Sequence, residues 1–233
     1  MPRQWIFIAN AGAGERMGAP VPKQYLEVNG RPLLCHTLDA WLAYAGECGA
    51  AGIAVGVADG DGWWEKIKKN YPPSITESPG GATRMETVWN GLQTLAGRAG
   101  GDDWVLVHDA VRPCVPRGDI ARLAEAVDEG GEGAALGCLI SDSVKRGGEG
   151  GRMVASVARK NLWRVFTPQM FRYAQLHDAM ARARAQGEVF DDEAGAVQAA
   201  GGKPLLVAGA AANIKVTTPD DLALAAAWLA RRG

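Results

Sequence analysis

Ile6-Phe7-Ile8-Ala9-Asn10-Ala11-Gly12-Ala13-Gly14-Glu15-Arg16-Met17-Gly18, followed closely by Pro22-Lys23-Gln24-Tyr25, sets the reading of this chain. The apolar run Ile6 to Ala9 is a buried strand. It opens into a loop of small residues, and Arg16 and Lys23 come just after it. Small side chains let backbone N–H groups approach an anion, and two cations can then neutralise a polyphosphate. The loop alone is read equally well as a tight strand-to-helix turn that needs glycine. It lacks the P-loop pattern. Gly12-Ala13-Gly14 only begins a dinucleotide fingerprint, whose third glycine position holds Met17. Lys23, given a defined direction by the preceding Pro22, tips the balance toward phosphate.

Outward from this loop, strand-like and helix-like segments alternate. Gly52 to Val57 and Trp104 to His108 are apolar strands, the latter ending in Asp109, and Ala134 to Ile140 and Leu205 to Val207 are two more. Leu33 to Tyr44, Gly62 to Asn70, Thr83 to Ala96, Asp119 to Glu129, Tyr173 to Gln186, Asp192 to Ala200 and Asp220 to Arg232 have helical spacing. Asp119 and Thr218 read as N-caps, with Pro219 at a first helical position. Thr167-Pro168-Gln169 reads as a turn. The alternation predicts an α/β fold with a mostly parallel sheet, in which ligands sit beyond the carboxyl ends of the strands. Both the Gly12 loop and Asp109 fall at such ends.

Asp142 to Arg159 departs from that rhythm. Two strand-like limbs flank Gly147-Gly148-Glu149-Gly150-Gly151, and Met153, Ala155 and Val157 alternate along the second. This predicts a hairpin inserted into the domain. It is either a docking arm, for instance onto a second subunit, or a surface loop; the regularly spaced apolar residues in both limbs favour the arm. The expected organisation is one domain over 1–233 with an arm at about 141–160.

Composition narrows the partners. The 233 residues carry 47% hydrophobic and 22% charged residues and a net charge of -1, which gives no support for nucleic-acid or membrane binding. No run reaches the roughly 18 apolar residues of a membrane span, and the N-terminus does not read as a signal peptide, so a cytoplasmic location is expected. Cys35, Cys48, Cys114 and Cys138 form no C-x-x-C pair and read as buried small hydrophobes. The chemistry-bearing candidates are therefore Arg16, Lys23 and Asp109. A carboxylate at a buried strand end suits Mg²⁺ or simply caps the strand, and Arg112, three residues on, is an anion contact or an ion-pair partner for Asp109. His108 reads as a core histidine. None of the three histidines has the partner pattern of nucleophilic catalysis.

Taken in order, Ala11-Gly12-x-Gly14-x-Arg16-Met17, Pro22-Lys23-Gln24-Tyr25, Gly80-Gly81-x-x-Arg84 with Thr87-Val88, and Val107-His108-Asp109-Ala110-x-Arg112-Pro113 resemble the 2-C-methyl-D-erythritol 4-phosphate cytidylyltransferases. Asp142-Ser143-Val144-Lys145-Arg146, Thr167-Pro168-Gln169, Asp192-Glu193-Ala194 and Asn213-Ile214-Lys215-Val216-Thr217 extend the resemblance from about residue 5 to 229. It implies a Rossmann-like, glycosyltransferase-A-like nucleotidyltransferase fold, and transfer of CMP from CTP to methylerythritol phosphate in nonmevalonate isoprenoid biosynthesis. It implies Arg16, Lys23 and Lys215 as catalytic cations. Ala11, Gly12, Gly14, Gly81, Arg84, Thr87 and Asp109 would bind the nucleotide, with Asp109 also placing Mg²⁺. Arg112, Ser143, Arg159 and Thr167 would bind the acceptor. The arm of this family crosses to a neighbouring subunit, which implies a homodimer in which Arg159 and Ser143 serve the partner's site. Three places depart from the family pattern. Asn10 stands where a small residue is usual, Ala82-Thr83 where an acidic residue often follows Gly-Gly, and Ala158 where Asp commonly precedes the arm arginine. The alternatives are another cytidylyltransferase, such as one acting on ribitol 5-phosphate, and a nucleotide-binding module without catalysis.

Overall fold

In the computed structural model, which describes residues 2–12 and 21–231, the chain runs β1 (Gln4–Ala9), β2 (Glu27–Val28), β3 (Arg31–Pro32), α1 (Leu33–Cys48), β4 (Gly52–Val57), α2 (Gly62–Ile67), β5 (Thr76–Pro79), α3 (Arg84–Leu95), β6 (Trp104–Asp109), α4 (Arg117–Gly130) and β7 (Ala134–Leu139). It continues through β8 (Val144–Gly147), β9 (Met153–Val157), β10 (Trp163–Arg172), α5 (Tyr173–Gln186), α6 (Glu193–Ala199), β11 (Leu205–Ala208) and α7 (Pro219–Ala230). The main sheet has the order β11-β7-β10-β6-β1-β4-β5. Neighbours pair in parallel except β10, which runs antiparallel to both β6 and β7. β1, β4, β5 and β6 therefore end at one edge, where the site forms.

The alternation of β1 builds the layers. Trp5 and Phe7 point into a core with Val88 and Leu92 of α3, Val105 and Val107 of β6, and Leu176 and Met180 of α5. Ile6 and Ile8 point the other way, into a core with Leu34, Leu38 and Trp41 of α1 and Ile120, Leu123 and Val127 of α4. Such two-sided burial is why these strands are continuously apolar. A smaller cluster of Val28, Leu33, Val111, Cys114, Val216 and Ala225 ties α7 to the site edge. The α7 start is as expected: Thr218 and Asp221 form a capping box and Pro219 opens the helix.

Several expectations are corrected. Thr167-Pro168-Gln169 is no turn but lies inside β10, with a cis Thr167–Pro168 bond. The register against β7 shifts between Phe166 and Gln169, so the proline, which has no N–H, is stepped over by the ladder. Asp119 is not an N-cap. Helix α4 starts at Arg117 after Pro116, and Asp119 instead accepts from the Ala210 N–H at 2.6 Å and pairs with Arg122. β5 was not expected, because Thr76-Glu77-Ser78-Pro79 is too short and polar to read as a strand. Of the cysteines, Cys35 and Cys114 are buried, but Cys48 in the last turn of α1 is exposed.

The inserted segment is a hairpin. β8 and β9 form their own two-stranded antiparallel sheet, with Val144 opposite Val157 and Arg146 opposite Ala155. Its apolar residues Met153 and Val154 stand exposed. Among the described residues, no helix is long and apolar enough to cross a membrane.

Candidate active site

Three chain turns converge beyond the carboxyl ends of the parallel strands. Asn10 to Gly12 follow β1, Gly81 to Thr83 lead from the turn after β5 into α3, and Asp109 to Val111 close β6. With Lys23, Gln24 and Lys215 they line a cavity of about 390 Å³. Glycine is required at position 80, because a Cβ there would meet the Ala11 Cβ at 2.4 Å and the Val57 carbonyl at 3.0 Å. The Gly80–Gly81 turn can thus press against the β1 loop. Gly81 N–H donates to Thr87 Oγ1 at 3.0 Å, and the same hydroxyl donates to the Thr83 carbonyl, so Thr87 shapes the turn. Thr83 caps α3 by accepting from Glu86 N–H.

Asp109 is the electrostatic centre. Its Oδ1 accepts from Arg84 Nε at 2.7 Å, and its Oδ2 meets Lys215 Nζ at 2.9 Å and Arg112 Nε at 3.2 Å. Burial alone would push this carboxyl up, but Arg84, Lys215 and Arg112 together hold it well below the usual carboxylate range. Arg84 is itself forked. Its Nη1 and Nη2 reach the buried Glu193 at 2.6 and 3.1 Å. Three cations therefore face two carboxylates, an excess of one positive charge before Lys23 is counted. That is an anion-receptive wall.

The remaining bonds lock Asp109 from below. Thr167 Oγ1 accepts from Asp109 N–H at 3.0 Å and lies 3.2 Å from His108 Nδ1, while His108 Nε2 lies 3.0 Å from the Arg112 carbonyl. A carbonyl can only accept, so Nε2 carries the proton and Nδ1 accepts from the Thr167 hydroxyl. His108 is fully buried, and burial pushes its pKa down to about 3. It is a neutral core histidine, as read from sequence. Asn213 Nδ2 donates to the Thr167 carbonyl, and Arg112 Nη1 to the Asn213 carbonyl, both at 2.8 Å. Val216 N–H pairs with the Val111 carbonyl, which brings Lys215 to the cavity.

The structure thus brings together Ala11, Gly12, Lys23, Gly81, Arg84, Thr87, Asp109 and Lys215 on the cavity wall. Arg112 and Thr167 stand behind it, with their polar atoms engaged on Asp109, His108 and Asn213. Ser143 and Arg159 are exposed at the foot of the β8–β9 hairpin, where Arg159 Nη1 donates to the Ser141 carbonyl. Gly14 and Arg16 lie outside the described residues. Arg84 is no solvated charge, and Lys145 bonds Ser156 across the hairpin. Glu193 and Asn213 fell within motifs that carry the resemblance but were given no role from sequence. Glu193 looks like an ordinary acidic residue in a helix first turn, and nothing local marks it as buried against a cation from α3.

Asp109 is the single carboxylate lining the cavity among the described residues, and no cluster of three or more metal-ligating side chains occurs among them. A single carboxylate suits Mg²⁺, which commonly takes one carboxylate alongside substrate phosphates and waters. Two carboxylate oxygens offer about four acceptor sites, and three are filled by Arg84, Arg112 and Lys215.

A profile of the 2-C-methyl-D-erythritol 4-phosphate cytidylyltransferases matches residues 5–231. The enzyme of that name from Hahella chejuensis is 40% identical over 227 residues, covering 97% of this chain and 93% of its own. That from Xylella fastidiosa is 45% identical over 232 residues, covering 98% and 97%. The crystal structure of the Francisella tularensis enzyme superposes with a TM-score of 0.83 at 32% identity, covering 97% of this chain and 99% of that one. Sequence and architecture agree, and the chain belongs to the 2-C-methyl-D-erythritol 4-phosphate cytidylyltransferase family.

Proposed function

We propose how this chain carries out its family's reaction, the transfer of CMP from CTP to 2-C-methyl-D-erythritol 4-phosphate with release of pyrophosphate, in isoprenoid precursor biosynthesis. The acceptor's phosphate monoester oxygen attacks the α-phosphorus of CTP. A new P–O bond forms and the bond to the β-phosphate oxygen breaks. The nucleophile is already anionic near neutral pH because its second pKa is about 6, so no general base is needed. The barrier is the repulsion between two anions. Catalysis then consists of neutralising charge and aligning the attack.

Lys23 and Lys215, with Arg16, take that role at the triphosphate. The backbone of Ala11 and Gly12, with Gly81 as shaped by Thr87, holds cytosine and ribose. Mg²⁺ would be held by Asp109 and the phosphates and would supply further charge neutralisation. Arg84 and Glu193 fix Asp109 so that it does not swing away when the anion arrives. Arg112 and Thr167 hold the acceptor side, directly or through Asp109. The observation that carries this reading is the cationic wall built on the buried Asp109 at the rim of a cavity of about 390 Å³. The test is turnover with CTP against UTP, and with methylerythritol phosphate against ribitol 5-phosphate. Preference for ribitol 5-phosphate would overturn the acceptor.

The hairpin is read as the arm of a homodimer, delivering Arg159 and Ser143 to the partner's cavity. Its support is the exposed Met153 and Val154 and the absence of Arg159 from the described lining of its own cavity. Subunit mixing tests this. Lys23→Ala and Arg159→Ala are each expected to be nearly inactive. Mixed dimers regain one intact site, giving about a quarter of wild-type activity after random exchange of a C₂ pair. No recovery on mixing, with exchange verified, overturns the crossed site.

A further inference from the structure

The β1 loop is held from behind by a relay that the reaction does not itself require. Gln24 is 4% exposed, and its Nε2 donates to two carbonyls at once, those of Asn10 and Gly12, each at 3.0 Å. One amide nitrogen thus fixes the orientation of two peptide groups in a three-residue stretch. Asn10 is 2% exposed, and its Nδ2 donates to the Tyr25 hydroxyl at 2.9 Å. Tyr25 in turn donates to Asp61 Oδ2 at 2.6 Å. Tyr25 has one hydroxyl proton and it goes to the carboxylate, so its oxygen must accept from Asn10. This settles which end of the Asn10 amide faces Tyr25. Asp61 is anchored in its turn, because its other oxygen caps α2 by accepting from the Trp63 and Trp64 N–H groups.

The chain of bonds therefore runs from a helix cap, through Tyr25, to the loop that lines the cavity. The links from Asp61 through Tyr25 and Asn10, and those from Gln24, are buried or half-buried, where an unmade bond is expensive. Gln24 and Tyr25 directly follow the phosphate-facing Lys23 in one 3₁₀ turn, Lys23–Tyr25. The same turn thus carries a reacting-site cation and two residues that orient the loop's carbonyls. In a trans peptide the N–H of one residue points opposite to the carbonyl before it, so holding the Asn10 carbonyl also aims the Ala11 N–H.

We propose that Gln24 is a positioning residue for nucleobase selection, with Asn10 and Tyr25 as its support: by pinning the Asn10 and Gly12 carbonyls it sets the loop donors and acceptors that tell cytosine from uracil. The proposal rests on the reading that the Ala11–Gly12 backbone meets the base. Cytosine and uracil differ at one ring edge by an exchanged donor and acceptor, so a loop whose peptides can rotate loses discrimination before it loses phosphate chemistry.

Gln24→Met tests this. The substitution keeps the size and the charge but removes the donor from both carbonyls. KM for CTP is expected to rise about fivefold or more, the effect of losing roughly one net hydrogen bond, and the kcat/KM preference for CTP over UTP to fall by a similar factor. The kcat at saturating CTP stays within about threefold, because Lys23, Lys215 and Asp109 are untouched. Tyr25→Phe, which keeps the ring and cuts the link to Asn10, shifts the same two readouts in the same direction by less. It also serves if the first variant does not fold. Unchanged KM and base preference in a folded variant overturn the proposal. Failure of the wild-type protein to prefer CTP at all overturns instead the reading of the loop on which it rests.

Discussion

His108 makes stability depend on pH in a way that can be calculated. It is fully buried beside the Trp41 ring, with centroids 5.1 Å apart, and burial pushes its pKa down to about 3. In the unfolded chain it returns to about 6.5. The folded protein keeps this ring neutral over a range in which the unfolded chain takes up a proton. Stability rises with pH wherever the unfolded state binds more protons. The contribution is therefore fully present above about pH 6.5 and is lost progressively as the pH falls toward 3. At about 1.36 kcal/mol per pH unit, the loss between pH 7 and pH 5 is about 2 kcal/mol. The assay is urea unfolding followed by tryptophan fluorescence at fixed protein concentration, for wild type and His108→Gln. Glutamine keeps an N–H for the Arg112 carbonyl but does not titrate. The variant is less stable at both pH values, and its loss between pH 7 and pH 5 is smaller than that of wild type by about 2 kcal/mol. Equal losses in the two proteins would refute the buried neutral histidine and the Thr167 bond that depends on it.

Other outcomes follow from the site. Lys215→Ala removes a cavity cation that also pairs with Asp109, and is expected to lower kcat by about 10²–10³ with the fold intact by circular dichroism. Glu193→Ala strips Arg84 of two of its three carboxylate contacts and should cost about 3–5 kcal/mol in a urea titration, since it leaves a buried charge half-paired. Gly80→Ala drives a Cβ into Ala11 and should destabilise by about 1–3 kcal/mol while raising KM for CTP; adding Ala11→Gly relieves the closest contact and recovers part of both effects. Asp109 remains ionised throughout the pH range of activity, because its carboxyl is held well below the usual range. The acid limb of a pH–rate profile should accordingly track the acceptor phosphate, with an apparent pKa near 6.

What local pattern encodes was legible in the chain. The apolar strands β1, β4 and β6, the capping box of α7 and the hairpin at 144–157 all carry their signals within a few residues, and the small-residue loop identified the site edge. Partnerships across the fold were not legible. Arg84 and Glu193 meet across 109 positions, and Thr167 meets Asp109 across 58. Strand β10 was hidden for a different reason. A Thr-Pro-Gln sequence reads as a turn because proline cannot donate, yet here the antiparallel ladder steps over it and uses the residues on either side. Asn10 is similar: an odd polar residue in a small-residue loop, whose purpose emerges only when Tyr25 and Asp61 are seen beside it.

The last segment of the chain has a consequence for how the enzyme is made. Lys215 reaches the cavity only because Asn213 bonds Thr167, Arg112 bonds Asn213, and Val216 joins Val111. β11 adds the outermost parallel strand just before it, and α7 follows. Synthesis proceeds from the N-terminus, so the β1 loop, Lys23 and Asp109 all emerge long before their final cation. A growing polypeptide can pair β1, β4 and β6 early, yet its wall of charge stays open until Lys215 joins Asp109, more than 100 residues after that carboxylate has emerged. On the role proposed for Lys215, nucleotide turnover waits for this late segment, and a ribosome stalled before Asn213 would display a largely built sheet without that activity.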